Sequence, residues 1–215
     1  MKAIKFVLSA LLCICVPNYA LSGQNNDLYI NVNTGNDTNP GSKEQPLKSL
    51  FEAASRVNSA NGTGSITIYL YEGIYGLDKT VTFHPVNWHF TKEQRLTIRA
   101  VVLPDDQEWN QGKMPVIVST MPLDFKPYGR QDPLGGASYG IQVETSFVTI
   151  QGLRVLGTPV HETPSKGMVR RNYPIVREGR NLEDLRITQC LFVGDKVAIP
   201  NHLAVLASGQ GIVVD

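Results

Sequence analysis

Cysteine is scarce, and two of the three lie where they cannot serve a fold. Cys13 and Cys15 fall in an apolar N-terminal leader, so only Cys190 belongs to the body of the chain and no intramolecular disulfide is possible there. Charge of one sign is also lacking. The formal net charge is +1, and it becomes −1 once Lys2 and Lys5 leave with the leader, so no global field calls for nucleic acid. The long apolar run from Phe6 to Val16 is too short to span a bilayer comfortably. No Gly-x-Ser-x-Gly elbow, phosphate loop or dinucleotide fingerprint occurs. His84, His89 and His202 have no metal-ligand spacing.

The leader is a signal peptide over residues 1–22. Lys2 and Lys5 form its basic start, Phe6–Val16 its core, and Ala20-Leu21-Ser22 a small–x–small cleavage site ahead of Gly23. Neither Cys13 nor Cys15 follows a small residue as a lipid-anchored leader needs. The expected location is therefore secreted, periplasmic or cell-surface, with no membrane association after cleavage. The remaining chain, residues 23–215, is long enough for one domain with a core.

What is present is a repeat. Val148, Ile150, Leu153, Val155 and Gly157 recur as Leu185, Ile187, Cys190, Phe192 and Gly194, each 37 residues later. The pattern is apolar–x–apolar, a two-residue step, then apolar–x–apolar, which fits two short strands joined by a bend. Ile212 and Val214 begin a third copy 27 residues on. Short strand pairs recurring at this period predict an all-β fold, a β-solenoid. Cys190 takes an inward place in the second copy and reads as a small buried hydrophobe.

Earlier segments fit the same scheme. Leu28–Val32 reads as a strand, followed by the turn-rich loop Asn33–Ser42. Leu47, Leu50, Phe51, Ala54 and Val57 repeat at helical spacing, predicting a helix over Pro46–Ser59 that Asn61–Gly64 stops. Strands are predicted at Ile66–Leu70, Leu96–Ala100, Val116–Val118 and Tyr139–Val143. The segments Met121–Ser138 and Thr158–Tyr173 are expected to leave the solenoid body as insertions. The cap is thus residues 27–64 and the coils are 65–215.

The order of strand, Asn36-Asp37-x-Asn39-Pro40-Gly41-Ser42 loop, Gln45-Pro46-Leu47-Lys48-Ser49-Leu50 and helix, then a strand closing on Tyr71-Glu72-Gly73-Ile74-Tyr75, resembles secreted right-handed parallel β-helix proteins. These form the pectate-lyase-like superfamily, with chondroitinase-like and alginate-lyase-like members. The resemblance implies a right-handed β-helix whose N-terminal helix caps an open end, as an exposed hydrophobic cross-section requires. It also implies more coils than this chain holds, so the chain reads as the N-terminal portion of a longer solenoid.

The richest chemistry falls in the second insertion. His161, Lys166, Arg170 and Arg171 lie there with Tyr173, and Arg177 and Arg180 follow. Guanidinium forks match carboxylate and sulfate oxygens, which suits an anionic polysaccharide. The competing reading is a solvated loop whose arginines pair with Glu162, Glu178, Glu183 and Asp184. Lyases of the resembling kind neutralise a uronate with Ca2+ or Arg/Asn, then move protons with Lys, Arg, His or Tyr. The expected substrate-binding residues are accordingly Lys166, Arg170, Arg171, Arg177 and Arg180, and the expected proton-transfer residues His161 and Tyr173. None matches a catalytic motif of that family, so these roles rest on residue chemistry.

A glycoside hydrolase needs two converging carboxylates. Asp124, Asp132, Glu144, Asp195 and Asp215 are scattered, and no spacing singles out a pair. Asn36, Asp37 and Asn39 offer oxygens to Ca2+, but the alternating ligand series of a dedicated loop is missing and turn chemistry is favoured. The function classes that remain are a polysaccharide lyase on an acidic glycan, a glycoside hydrolase of the same fold, and a non-catalytic, adhesin-like binding module.

Overall fold

The computed structural model describes residues 26–119, 137–157, 171–194 and 203–215. The signal peptide expected at residues 1–22 lies outside them. So do His161, Glu162, Lys166 and Arg170 of the second insertion, and Asp124, Asp132, Asp195 and His202.

The chain opens with β1 (Asn26–Ile30) and α1 (Leu50–Ser59). A second coil follows as β2 (Asn61–Thr63), β3 (Ile66–Leu70), β4 (Ile74–Leu77) and β5 (Val81–Phe83). The third is β6 (Asn87–His89), β7 (Leu96–Ala100), β8 (Val116–Ser119) and β9 (Ala137–Val143). The fourth is β10 (Val148–Gln151), β11 (Arg154–Gly157) and β12 (Arg171–Arg177). The fifth is β13 (Leu185–Thr188), β14 (Leu191–Phe192) and β15 (Val205–Ala207), and β16 (Ile212–Val214) begins another.

The second to fifth coils each give one strand to each of three sheets, and the first gives β1 alone. Sheet A runs β1-β3-β7-β10-β13-β16, sheet B runs β4-β8-β11-β14, and sheet C runs β5-β9-β12-β15, all in parallel pairing. A two-stranded parallel pair, β2 with β6, flanks them. The predicted repeat is the observed register. Val148 pairs with Leu185 and Arg154 with Leu191, both 37 residues apart, while Leu185 pairs with Ile212.

Because alternate strand residues face opposite sides, identical positions stack into ladders. Leu28, Ile68, Ile98, Ile150, Ile187 and Val214 form one inward ladder of sheet A. All but Val214 are at most 1% exposed. Burying each such side chain stabilises the fold by about 1.5–3 kcal/mol before entropy is counted.

The corners repeat as well. Phe147 (φ 58°), Asp184 (φ 47°) and Gly211 (φ 62°) each precede a sheet A strand, while Gly152 (φ 73°) and Gln189 (φ 53°) each follow one. The chain turns through the left-handed region at both ends of these strands, and non-glycine residues pay about 1–2 kcal/mol there.

The helix differs from expectation. It starts at Leu50, one turn later than Pro46, because Leu47 is taken into a bridge and Ser49 is extended. Leu47 is fully buried and bridges Ile30: its N–H donates to the Tyr29 carbonyl and its carbonyl accepts from Asn31, both at 2.8 Å. The Asp37 carboxylate takes the N–H groups of Lys48 and Ser49 and the Ser49 hydroxyl. Ser49 then caps the helix by accepting from Glu52 N–H, the Ser-x-x-Glu start pattern. Arg56, buried on the inner face, donates to the carbonyls of Pro40, Asp37 and Asn39 and ties down the turn-rich loop. The helix packs against β1 and β5, the first strands of sheets A and C. Asn61–Gly64 does more than stop it, since Asn61–Thr63 is a strand, and the Trp88 indole of β6 donates to the Gly64 carbonyl at 2.8 Å.

Candidate functional site

The insertions expected at Met121–Ser138 and Thr158–Tyr173 both join sheet B to sheet C, and both are shorter than expected. Ala137 and Ser138 already belong to β9, and Arg171–Tyr173 belong to β12, in register with Ala137–Tyr139. Arg171 and Tyr173 therefore sit on the solenoid body. The Tyr173 ring stacks on Tyr139 at 5.8 Å between centroids and 21° between planes, so one face is taken by a neighbouring rung rather than offered to a ligand. Arg180 is exposed in the turn after β12.

Arg177 is not a surface residue. It stacks in register with Val143 of β9 and Ala207 of β15, and Val143 with Phe83 of β5, an inward ladder, and it is fully buried. Its Nε donates to the Ser208 carbonyl at 2.8 Å and its Nη2 to the Gln210 carbonyl at 3.2 Å, while Nη1 has no partner among the described residues. Burial pulls its pKa below the ordinary guanidinium value, and the Asp184 charge opposes that. A side chain so enclosed cannot reach a glycan. The substrate-binding role expected for Arg177 is replaced by a structural one.

Of the acidic residues considered as partners, Asp184 binds Arg95 and Arg186. The oxygens that sequence offers to Ca2+ are likewise in use: Asn36 Oδ1 accepts from the Thr38 N–H and hydroxyl, and Asp37 holds the helix start. Among the described residues no group of three or more His, Cys, Asp or Glu side chains is placed to hold a metal ion.

The structure brings other residues together on the outward side of sheet C. His84, Glu144 and Glu178 each follow directly on an inward rung, Phe83, Val143 and Arg177. They are the first residues past these strands, on rungs about 4.8 Å apart. The ladder continues from the His84 rung to Glu144, whose N–H donates to the Phe83 carbonyl at 2.9 Å. Glu144 is held from two sides, with His84 Nδ1 at 3.0 Å from Oε2 and Gln142 Nε2 donating to Oε1 at 2.7 Å. It keeps 33% of its side chain exposed, and Glu178 is exposed.

A groove of about 430 Å3 lies between α1 and the start of β5. One wall is α1, with Phe51, Ser55 and Asn58; the other is Lys79–Thr82. Thr82 pairs in register with Gln142. Asn58 fixes the two walls, its amide donating to the Thr82 carbonyl at 2.8 Å and its oxygen accepting from His84 N–H at 2.7 Å. One amide thus satisfies the open edge of β5 as a neighbouring strand would. Lys79 lies over the Phe51 ring, its ammonium 4.9 Å from the centroid.

Sequence reasoning considered Glu144 and did not pair it. The pair with Glu178 spans 34 residues and becomes visible only once the rung through Val143 and Arg177 is known. His84 and Asn58 carry no motif at all.

No protein-family model and no curated protein matches the sequence. Two solved structures are similar, both crystal structures of GH136 lacto-N-biosidase from Eubacterium ramulus: the native protein, with a TM-score of 0.44, and a selenomethionine derivative, with 0.46. Each is 19% identical, over 87% and 88% of this chain, and the chain spans 34% of their length.

Proposed function

We propose that this chain is an exported, carbohydrate-active, right-handed parallel β-helix of the pectate-lyase-like kind, and that the outward face of sheet C is its working face. The observation that carries this reading is the Glu144 carboxylate, oriented by His84 and Gln142, with exposed Glu178 following the adjacent inward rung of sheet C.

Two carboxyl groups about 5–5.5 Å apart serve retaining glycoside hydrolysis, and strands about 4.8 Å apart bring neighbouring outward residues into that range. In this assignment Glu178, in open solvent, attacks the anomeric carbon as nucleophile. Glu144, with its partners, gives a proton to the departing oxygen and later takes one from water. His84 holds Glu144 in place. Hydrolysis is favoured over β-elimination because Arg177, one of the cations counted on to neutralise a uronate, is enclosed in the core.

The test uses the full chain with a panel of neutral and acidic oligosaccharides, with and without Ca2+, reading reducing ends and, separately, absorbance of unsaturated uronate. Release of reducing ends that E144Q and E178Q each abolish supports the assignment. Unsaturated product that survives both substitutions overturns it in favour of a lyase. Glycan binding with no product of either kind points to a binding module.

A further inference from the structure

Asparagine precedes glycine once in the chain, at Asn61-Gly62, and the fold leaves that pair open. It begins β2, a three-residue strand bonded on one side only, to β6. Asn61, Gly62 and Thr63 are all exposed. No hydrogen bond holds the Asn61 side chain among the described residues. Asn58, three residues earlier, is the contrast, since both functions of its amide are engaged.

The packing requires glycine at the second position. Gly62 has φ 149°, and a Cβ there would come within 2.9 Å of the Trp88 ring. That indole is 2% exposed, pairs in register with Gly62 and donates to the Gly64 carbonyl at 2.8 Å. β6 in turn packs against α1, so the contact belongs to the N-terminal cap.

We infer that Asn61 is a self-modification site, converting to aspartate and isoaspartate, and that the isoaspartate product loosens the N-terminal cap. Glycine has no side chain to shield its amide nitrogen, and it leaves the backbone free to rotate. Brief opening of a short, one-sided strand supplies the rotation that the attack needs. The Gly62 nitrogen bonds to the side-chain carbonyl carbon of Asn61. Its proton, relayed by water, departs with the side-chain nitrogen as ammonia. Water then adds to either carbonyl of the five-membered imide and breaks that carbonyl's bond to nitrogen. Opening at one carbonyl leaves aspartate, and opening at the other leaves isoaspartate, with one more carbon in the main chain. The longer chain carries Gly62 and Thr63 out of register with Trp88 and His89. None of this depends on the Glu144 reading.

The experiment incubates the full chain at pH 8 over weeks, with peptide mapping, an isoaspartyl methyltransferase assay and thermal melts. A Trp109→Phe background leaves Trp88 as the sole tryptophan reporter. A gain of about 1 Da is expected in the peptide holding residue 61, at least tenfold faster than at any other asparagine. Trp88 emission should shift to the red and the melting midpoint fall in proportion to isoaspartate. Asn61→Gln should show neither change. Asn61→Asp, which carries the charge without the inserted carbon, should keep the fresh protein's emission and midpoint. If residue 61 stays an amide in the folded chain while converting in urea, the strand excludes the attack and the inference is overturned. Conversion that leaves Trp88 emission and the midpoint unchanged overturns the loosening of the cap. An equal drift in Asn61→Gln overturns it too, by placing the cause elsewhere.

Discussion

Arg95 and Asp184 stand 89 residues apart in the chain and 2.7 Å apart in space. Between them lies a whole coil, and Arg95 also bonds that coil, through the Val148 carbonyl and the Thr149 hydroxyl. One guanidinium thus ties three rungs of sheet A at the corner where Asp184 turns with φ 47°. The Arg95 hydrogen bond, then that of Arg186, holds the Asp184 carboxyl below its ordinary 3.8, against a desolvation cost. A depressed carboxyl stabilises the folded chain fully above its unfolded value, and that contribution is lost as pH falls through the folded value. Thermal melts should therefore show a steep loss of stability below about pH 4. Asp184→Asn, which tolerates the same backbone conformation, should flatten that acid limb and cost about 1–3 kcal/mol at pH 7. An acid limb identical to the wild type would show that other carboxylates govern it.

Arg177 tests a different kind of burial. Its stem fills a core position beneath Ala207, and its head satisfies two carbonyls of the following turn. Arg177→Ala leaves a cavity and strands those carbonyls, so a loss of about 3 kcal/mol or more is expected in urea unfolding. Arg177→Met keeps the volume and removes a buried charge with an orphaned N–H, so its loss should be less than half as large. If the two variants are equally unstable, the hydrogen bonds matter and the volume does not. In either case neither substitution should change glycan affinity beyond what unfolding explains.

Asn58 should be sensitive to chemistry and not to size. Both of its amide functions are used, one as donor to Thr82 and one as acceptor from His84. Asn58→Asp is nearly isosteric yet cannot donate, and it turns a carboxylate toward a carbonyl. Asn58→Ala leaves the β5 edge open. Each should cost about 1–3 kcal/mol, with Asp at least as harmful as Ala at neutral pH. A stable aspartate variant would mean that the edge is satisfied in another way.

The repeat made the solenoid legible because stacking forces equal side chains to equal positions: Val148 over Leu185 is at once a sequence period and a hydrogen-bonded register. The helix start was harder, since Leu47 has helical spacing relative to Leu50 and Ala54 but is drawn instead into a bridge with Ile30. No local signal marks that contact. Arg177 misled for a similar reason. Charge in a segment rich in arginines reads as surface, and only its parity with Val143 and Phe83 places it inside. Glu144 and Glu178 follow those rungs, one residue further along. A site proposed from them spans coils whose lengths differ, 27 residues in one interval and 37 in another, so it escapes any fixed-spacing motif.

Cys190 offers a check on the last coils that needs no substitution. Its sulfur is part-buried and lies 3.8 Å from the Ile150 carbonyl oxygen, and burial raises the thiol above its ordinary 9.0. The thiolate is the reactive species, so both low ionisation and poor access should slow its alkylation. At pH 8 the native chain should react with iodoacetamide at least tenfold more slowly than the chain in urea. Because Cys190 joins β13 to β14, its native labelling rate reports opening of the fourth and fifth coils specifically. Labelling as fast as that of an unfolded thiol, while the melting midpoint stays high, would show that these coils separate without global unfolding. The inward place given to Cys190 by the repeat would then be wrong.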